Sequence, residues 1–129
     1  MARIREVTFD SPHPASIARF WAAALDGYDV APYDDAELER LRSLGIDDVS
    51  DDPTVVVESA DGRSPQQLTF QLVPESKVVK NRVHLDLTAD DRAAEVARLT
   101  SLGAQVLTEY ERWTTLADPD GNEFCVTDR

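Results

Sequence analysis

One short pattern occurs twice in this chain, and the repetition limits the fold more than any total does. Val7-Thr8-Phe9-Asp10 followed by Ile17-Ala18-Arg19-Phe20 is echoed by Val83-His84-Leu85-Asp86 followed by Val96-Ala97-Arg98-Leu99. In each copy an alternating stretch, which reads as a strand, leads into helical spacing. Each copy continues into further strands, so both halves read as βαβββ. Such a unit alone leaves one sheet face bare, whereas two units can enclose a cavity between curved sheets. The fold class expected is therefore α+β: two βαβββ modules forming a curved mixed sheet around a cleft, with the helices outside. At 129 residues, 42% of them hydrophobic, the chain suits one compact domain. Module 1 is expected over 1–73, a linker over 74–81 and module 2 over 82–129.

The cleft is argued from strands with two chemically opposite faces. In Asn81-Arg82-Val83-His84-Leu85-Asp86-Leu87 the oily Val83, Leu85 and Leu87 alternate with Arg82, His84 and Asp86. Over 4–10, Val7 and Phe9 oppose Glu6, Thr8 and Asp10. Over 67–73, Leu68, Phe70 and Leu72 oppose Thr69, Gln71 and Val73. Over 123–127, Phe124 and Val126 oppose Glu123, Cys125 and Thr127. If the oily sides all meet helices, the polar sides can share one interior.

The remaining segments fill in around these strands. Pro14 suits a first helical position, and Ile17, Phe20, Trp21, Ala24 and Leu25 recur at helical spacing over 15–25, with Trp21 read as core. A short strand is expected over 28–33. Asp34 with Glu37 resembles a capping box opening an acidic helix whose stripe is Leu38, Leu41 and Leu44. The connection from there to Pro53 is either a solvated excursion or a lid. Residues 54–59 pair with 67–73 as a hairpin across Ala60-Asp61-Gly62-Arg63-Ser64-Pro65. Lys77, Lys80 and Arg82 form a local basic cluster, either a linker whose charges offset nearby carboxylates or a steering patch for an anionic ligand. Thr88 or Asp90 caps a helix over 91–102, supplied with Ala94, Val96, Ala97, Leu99 and Leu102 and stopped by Gly103. Strands at 106–107 and 113–117 precede the turn Asp118-Pro119-Asp120-Gly121-Asn122.

Charge decides which partners are excluded. A formal net charge of −12 disfavours nucleic acid and anionic membrane surfaces as partners, which leaves a small molecule. The longest apolar run, Phe20 to Leu25, falls far short of the roughly 20 residues of a membrane helix, and the charged start lacks a signal peptide's apolar region. One cysteine, Cys125, permits no intrachain disulfide. A cytoplasmic protein is the expectation.

Several of these segments together carry a family likeness: Ile17-Ala18-Arg19-Phe20-Trp21, Leu25-Asp26-Gly27, Val83-His84-Leu85-Asp86-Leu87, Arg98-Leu99 through Leu102-Gly103-Ala104, and above all Asp118-Pro119-Asp120-Gly121-Asn122-Glu123-Phe124. The chain resembles the glyoxalase, bleomycin-resistance and extradiol-dioxygenase superfamily, or vicinal oxygen chelate fold, in its glyoxalase-like subgroup. In metal-dependent members the resemblance implies an inward ligand on the first and last strand of each half. These positions fall at Glu6, Gln71, His84 and Cys125; a gap-free match of the strands chooses Thr8 in place of Glu6. A glutamate is usual where this chain has Cys125, and often where it has Gln71.

Two uses of such a site follow. With Glu6, Gln71 and His84 holding nickel, iron, manganese or zinc, the site could polarise adjacent oxygens of a substrate, with Glu6 and His84 as the catalytic residues of a lyase, isomerase or dioxygenase. Without metal, Glu6, Thr8, Gln71, His84, Asp86 and Cys125 would hold a small ligand between aromatic walls of Tyr110 and Trp113. Small-molecule binding is the preferred reading, and a homodimer is implied by resemblance. The plain structural alternative is that His84 and Asp86 form a hydrogen-bonded pair serving only the fold.

Overall fold

The structure is a computed structural model that describes residues 1–63 and 65–129; Ser64, within the expected 60–65 turn, lies outside the described residues. The chain divides into two compact units, 1–75 and 76–129. Each contains one four-stranded mixed sheet, and each follows the βαβββ order read from the repeat.

In the first unit β1 (Glu6–Ser11) leads into α1 (Pro14–Ala24), followed by β2 (Tyr28–Val30), α2 (Asp35–Ser43), β3 (Thr54–Ser59) and β4 (Gln67–Leu72). The strand order is β1-β4-β3-β2, with β1 parallel to β4 and the other pairs antiparallel. Because α1 repeats its apolar residues at helical spacing, Ile17, Ala18, Phe20, Trp21 and Ala24 are all buried. Trp21 is core, 1% exposed, and Phe9 stacks 6.0 Å from it and 5.3 Å from Phe70. Burying side chains of the size of Phe70, Leu68, Val57 and Ile17 stabilises the unit by roughly 1.5–3 kcal/mol each. Leu72, expected on this oily face, is half exposed at the strand's last position.

The acidic segment after β2 is tied down at specific points. Asp34 caps α2 by accepting a hydrogen bond from the Glu37 amide at 2.9 Å, but the Glu37 carboxylate turns to Arg40 instead of completing a capping box. Of the expected stripe Leu38 is half-buried, Leu41 buried and Leu44 exposed, so it fades towards the helix's end. The clasp is Asp52, itself buried: Oδ2 accepts from the Tyr33 hydroxyl and from Arg40 at 2.8 Å each, and Oδ1 accepts from the Thr54 amide at 2.9 Å. Burial and the bond to Asp52 push the Tyr33 phenol well above its ordinary range.

In the second unit β5 (Leu85–Ala89) leads into α3 (Arg92–Ser101), then β6 (Gln105–Glu109), β7 (Trp113–Ala117) and β8 (Glu123–Asp128), in sheet order β5-β8-β7-β6. The strand expected from residue 81 begins only at Leu85, and Val83, expected on its oily side, is 73% exposed. The reason is the partner: β8 meets β5 first at Leu85 opposite Phe124, while the Asn81 amide donates to the Glu123 carboxylate at 3.1 Å. The cap of α3 is Asp91, not Thr88 or Asp90; its Oδ1 accepts from the Ala94 amide at 3.0 Å. Leu99 alone in α3 is fully buried, whereas Ala94, Ala97 and Leu102 face outward. Gly103, at φ +117°, takes the left-handed step that ends the helix. Among the described residues no helix is long and apolar enough to cross a membrane.

Candidate functional site

Parity of the parallel pair β5 and β8 builds the site. Asp86 lies opposite Cys125 in the register, so both project from the same face. His84, two residues before Asp86, adds its imidazole to that face, with Nε2 3.2 Å from Asp86 Oδ1. From β7, Thr115 pairs with Cys125 and sets its Oγ1 3.5 Å from the thiol sulfur. One donor atom from each of His84, Asp86 and Cys125 thus lies within 4.8 Å of the others.

Aromatic residues stand beside this cluster. The hairpin between β6 and β7 closes with the Tyr110 amide donating to the Trp113 carbonyl at 2.8 Å. That closure stacks the two rings, with centroids 4.5 Å apart at 24°. Together these groups line a groove of about 600 Å³ to which Lys80, Leu107, Thr108, Thr115, Glu123 and Thr127 also contribute. Five of the expected site residues, His84, Asp86, Tyr110, Trp113 and Cys125, share it.

Immediately before the groove-lining Glu123 the chain reverses through the Asp-Pro-Asp-Gly-Asn turn. Buried Asp118 accepts at Oδ1 from the amides of Asp120 and Asn122 at 3.0 and 2.9 Å, and the Asn122 side chain donates to both of its carboxylate oxygens. Gly121 permits the tight reversal at φ +90°. Asn122 in turn accepts from the Asn81 side chain at 3.0 Å, and Glu123 accepts from Lys77 Nζ at 2.9 Å. The basic segment expected as a linker is therefore fastened to β8, its first lysine offsetting a carboxylate. Burial opposes ionisation of Glu123, but the Lys77 ammonium and backbone amides outweigh it and hold its pKa near 2, against an ordinary 4.5.

Glu123 and Lys80 were not among the expected site residues. Parity alone could have identified Glu123, two positions before Cys125 on one strand. Lys80 lies outside any strand, so alternation carries no information about it.

The other expected residues, Glu6, Thr8 and Gln71, lie on the first unit. There Glu6 pairs in register with Gln67 and accepts from the Thr69 hydroxyl at 2.8 Å, whereas Gln71 pairs with Asp10. Four strand positions, roughly 13 Å at the usual rise, separate Glu6 from Gln71 along the sheet. In a gap-free match of the two repeats, the counterparts of His84, Asp86 and Cys125 are Thr8, Asp10 and Gln71. Asp10, on the polar face by alternation, is thus a counterpart that was not among the expected site residues. A smaller recess of about 400 Å³ in this unit, bordered by Asp34, Glu37, Asp52, Glu58 and Gln67, includes none of the three expected residues.

The chemistry of the donor set fits a divalent transition metal. An imidazole, a carboxylate and a thiolate are ligands that zinc and iron accept, and an ion at about 2.0–2.3 Å from each requires donors about 3.5 Å apart, within reach of side-chain adjustment from the separations seen.

Comparison with known proteins agrees with this architecture. Similar solved structures include a glyoxalase/bleomycin resistance protein/dioxygenase family enzyme from Burkholderia phytofirmans PsJN, 15% identical over 98% of both chains with TM-score 0.64. The trypanothione-dependent glyoxalase I of Leishmania major is 18% identical over 99% of this chain and 87% of its own, with TM-score 0.63. The fosfomycin resistance protein FosX of Mesorhizobium loti is 13% identical over 98% of this chain and 91% of its own, with TM-score 0.67. At such identities the likeness is one of fold. No curated protein matches the chain. A family model described as a glyoxalase-like domain matches residues 6–127, nearly the whole sequence, and with one four-stranded mixed sheet in each unit this establishes that the chain belongs to the glyoxalase-like domain family of the vicinal oxygen chelate superfamily.

Proposed function

We propose that this protein binds a small molecule in the groove of its second unit. The observation that carries the reading is the meeting, in about 600 Å³, of a stacked Tyr110–Trp113 wall with the convergent polar groups of His84, Asp86 and Cys125. Ligand pockets commonly have this size and this mixture of apolar lining and a few polar anchors. Trp113→Leu removes the wall without touching the polar cluster. A small-molecule panel followed by thermal shift should yield ligands that stabilise the wild type and not Trp113→Leu. Equal stabilisation of both proteins by every ligand found would refute the assignment.

A second reading, a metal-dependent lyase, isomerase or dioxygenase, is favoured by the donor cluster. His84, Asp86 and Cys125 would hold the ion, which when bound would polarise substrate oxygens. A carboxylate not engaged by the ion would be the group to move a proton, with His84 serving as ligand. On the family resemblance Glu6 and Gln71 are each a proposed ligand, and Glu6 a proposed catalytic residue, but the four strand positions between them let at most one serve a given ion; Thr8 is likewise a proposed contact. Elemental analysis of untagged protein is expected to find metal near one equivalent, lost in His84→Ala; Glu6→Ala and Gln71→Ala enter the same measurement. No metal after incubation with excess nickel, zinc, manganese or iron(II) would remove the enzyme reading. One domain over 1–129, a homodimer by family resemblance and a reducing, cytoplasmic setting for the single free thiol complete the proposal, and sedimentation checks the dimer.

A further inference from the structure

We infer that the groove of the second unit selects a planar aromatic ligand bearing a carboxylate, and that Lys80 is the residue that reads the negative charge. This rests on the small-molecule reading above. The aromatic part follows from the stacked Tyr110 and Trp113, which leave apolar ring surface exposed at the groove.

The sign of the charge follows from an account of the ionisable groups there. Glu123 is occupied: Lys77 Nζ lies 2.9 Å away, the Asn81 amide 3.1 Å away, and the two side chains are only 15% and 18% exposed. The Asp86 carboxylate lies 3.2 Å from the His84 imidazole. Lys80 also borders the groove, and among the described residues it has no hydrogen bond or ion pair. Glu123 is thus neutralised by a lysine, Asp86 stands beside an imidazole that offsets its charge only when protonated, and the Lys80 ammonium has no partner among the described residues. A carboxylate ligand would complete the set, whereas a cationic one would face an unopposed like charge.

The chain's overall charge of −12 does not overrule this. At physiological ionic strength charges are screened over about 8 Å, so the contact at Lys80 outweighs the distant field. The preference is local and should weaken as salt rises.

Calorimetric titration of the full chain with 2-naphthoate, 2-naphthylmethanol and 2-naphthylmethylammonium tests this. One partly solvated ion pair gives naphthoate about a five- to tenfold advantage over the alcohol, with the cation weakest. Lys80→Met keeps the stem and removes the charge, and should erase that advantage. Arg82→Met, an exposed cation outside the groove lining, should leave it intact. If naphthoate and the alcohol bind equally, or both variants lose the preference alike, the charge assignment is overturned while the groove stands. If none of the three probes binds, the groove assignment falls with it.

Discussion

Glu123 offers the sharpest test of how the groove is held together. Its carboxylate joins β8 to the basic segment through Lys77 and the Asn81 amide, and that pairing lowers its pKa from 4.5 to about 2. A depression of about 2.5 units corresponds to about 3.4 kcal/mol of preference for the ionised, folded state. Residual contact with water and the hydrogen bond that a glutamine could still accept from Asn81 reduce the cost of Glu123→Gln to about 2 kcal/mol at pH 7. The sign follows from the depressed folded pKa: the contribution is complete above 4.5, where the unfolded carboxyl is also ionised, and is lost as pH falls towards 2. Urea unfolding of wild type and Glu123→Gln should show a gap of about 2 kcal/mol from pH 7 to pH 5 that closes steadily below. A gap that persists unchanged to pH 2, or one under about 0.5 kcal/mol at pH 7, would refute the reasoning.

Other perturbations follow from buried groups. Asp118→Ala leaves the amides of Asp120 and Asn122 without their acceptor inside a closed turn and should cost about 2–4 kcal/mol by urea unfolding. Phe70→Ala, at a position with no exposure, should cost about 3–5 kcal/mol, read as a lower denaturation midpoint. Tyr33→Phe removes one donor to Asp52 while Arg40 and Thr54 keep theirs, so about 1 kcal/mol is expected; Asp52→Ala deprives all three and should cost at least twice as much.

The fold was legible because it is repeated. Val7-Thr8-Phe9-Asp10 and Val83-His84-Leu85-Asp86 share a strand pattern whose parity is absolute, and α1 carries enough apolar residues to declare its buried face. The errors lie where one partner decides the outcome. Val83 has the residue type of a strand but nothing opposite it, since β8 starts pairing at Leu85. Ala94, Ala97 and Leu102 look like a helix's buried stripe, yet α3 presses down through Leu99. At the candidate site, parity located His84, Asp86 and Cys125 together. It could not locate Lys80, which sits in a connection, and it could not measure distance along a strand, so Glu6 and Gln71 read as neighbours although the register sets them four positions apart.

Each sheet is closed by its own first and last strands running side by side, Glu6 against Gln67 and Leu85 against Phe124. The segment to be looped is roughly sixty residues in one case and about forty in the other, a difference worth only a few tenths of a kcal/mol in closure entropy. The larger effect is on order of events. Neither sheet can complete its parallel pair until its final strand has left the ribosome, so a nascent chain carries β1 as an unmatched edge through the synthesis of everything up to β4. Glu6 and Asp10 put two carboxylates on that waiting strand, the kind of edge charge that disfavours pairing with a neighbouring copy.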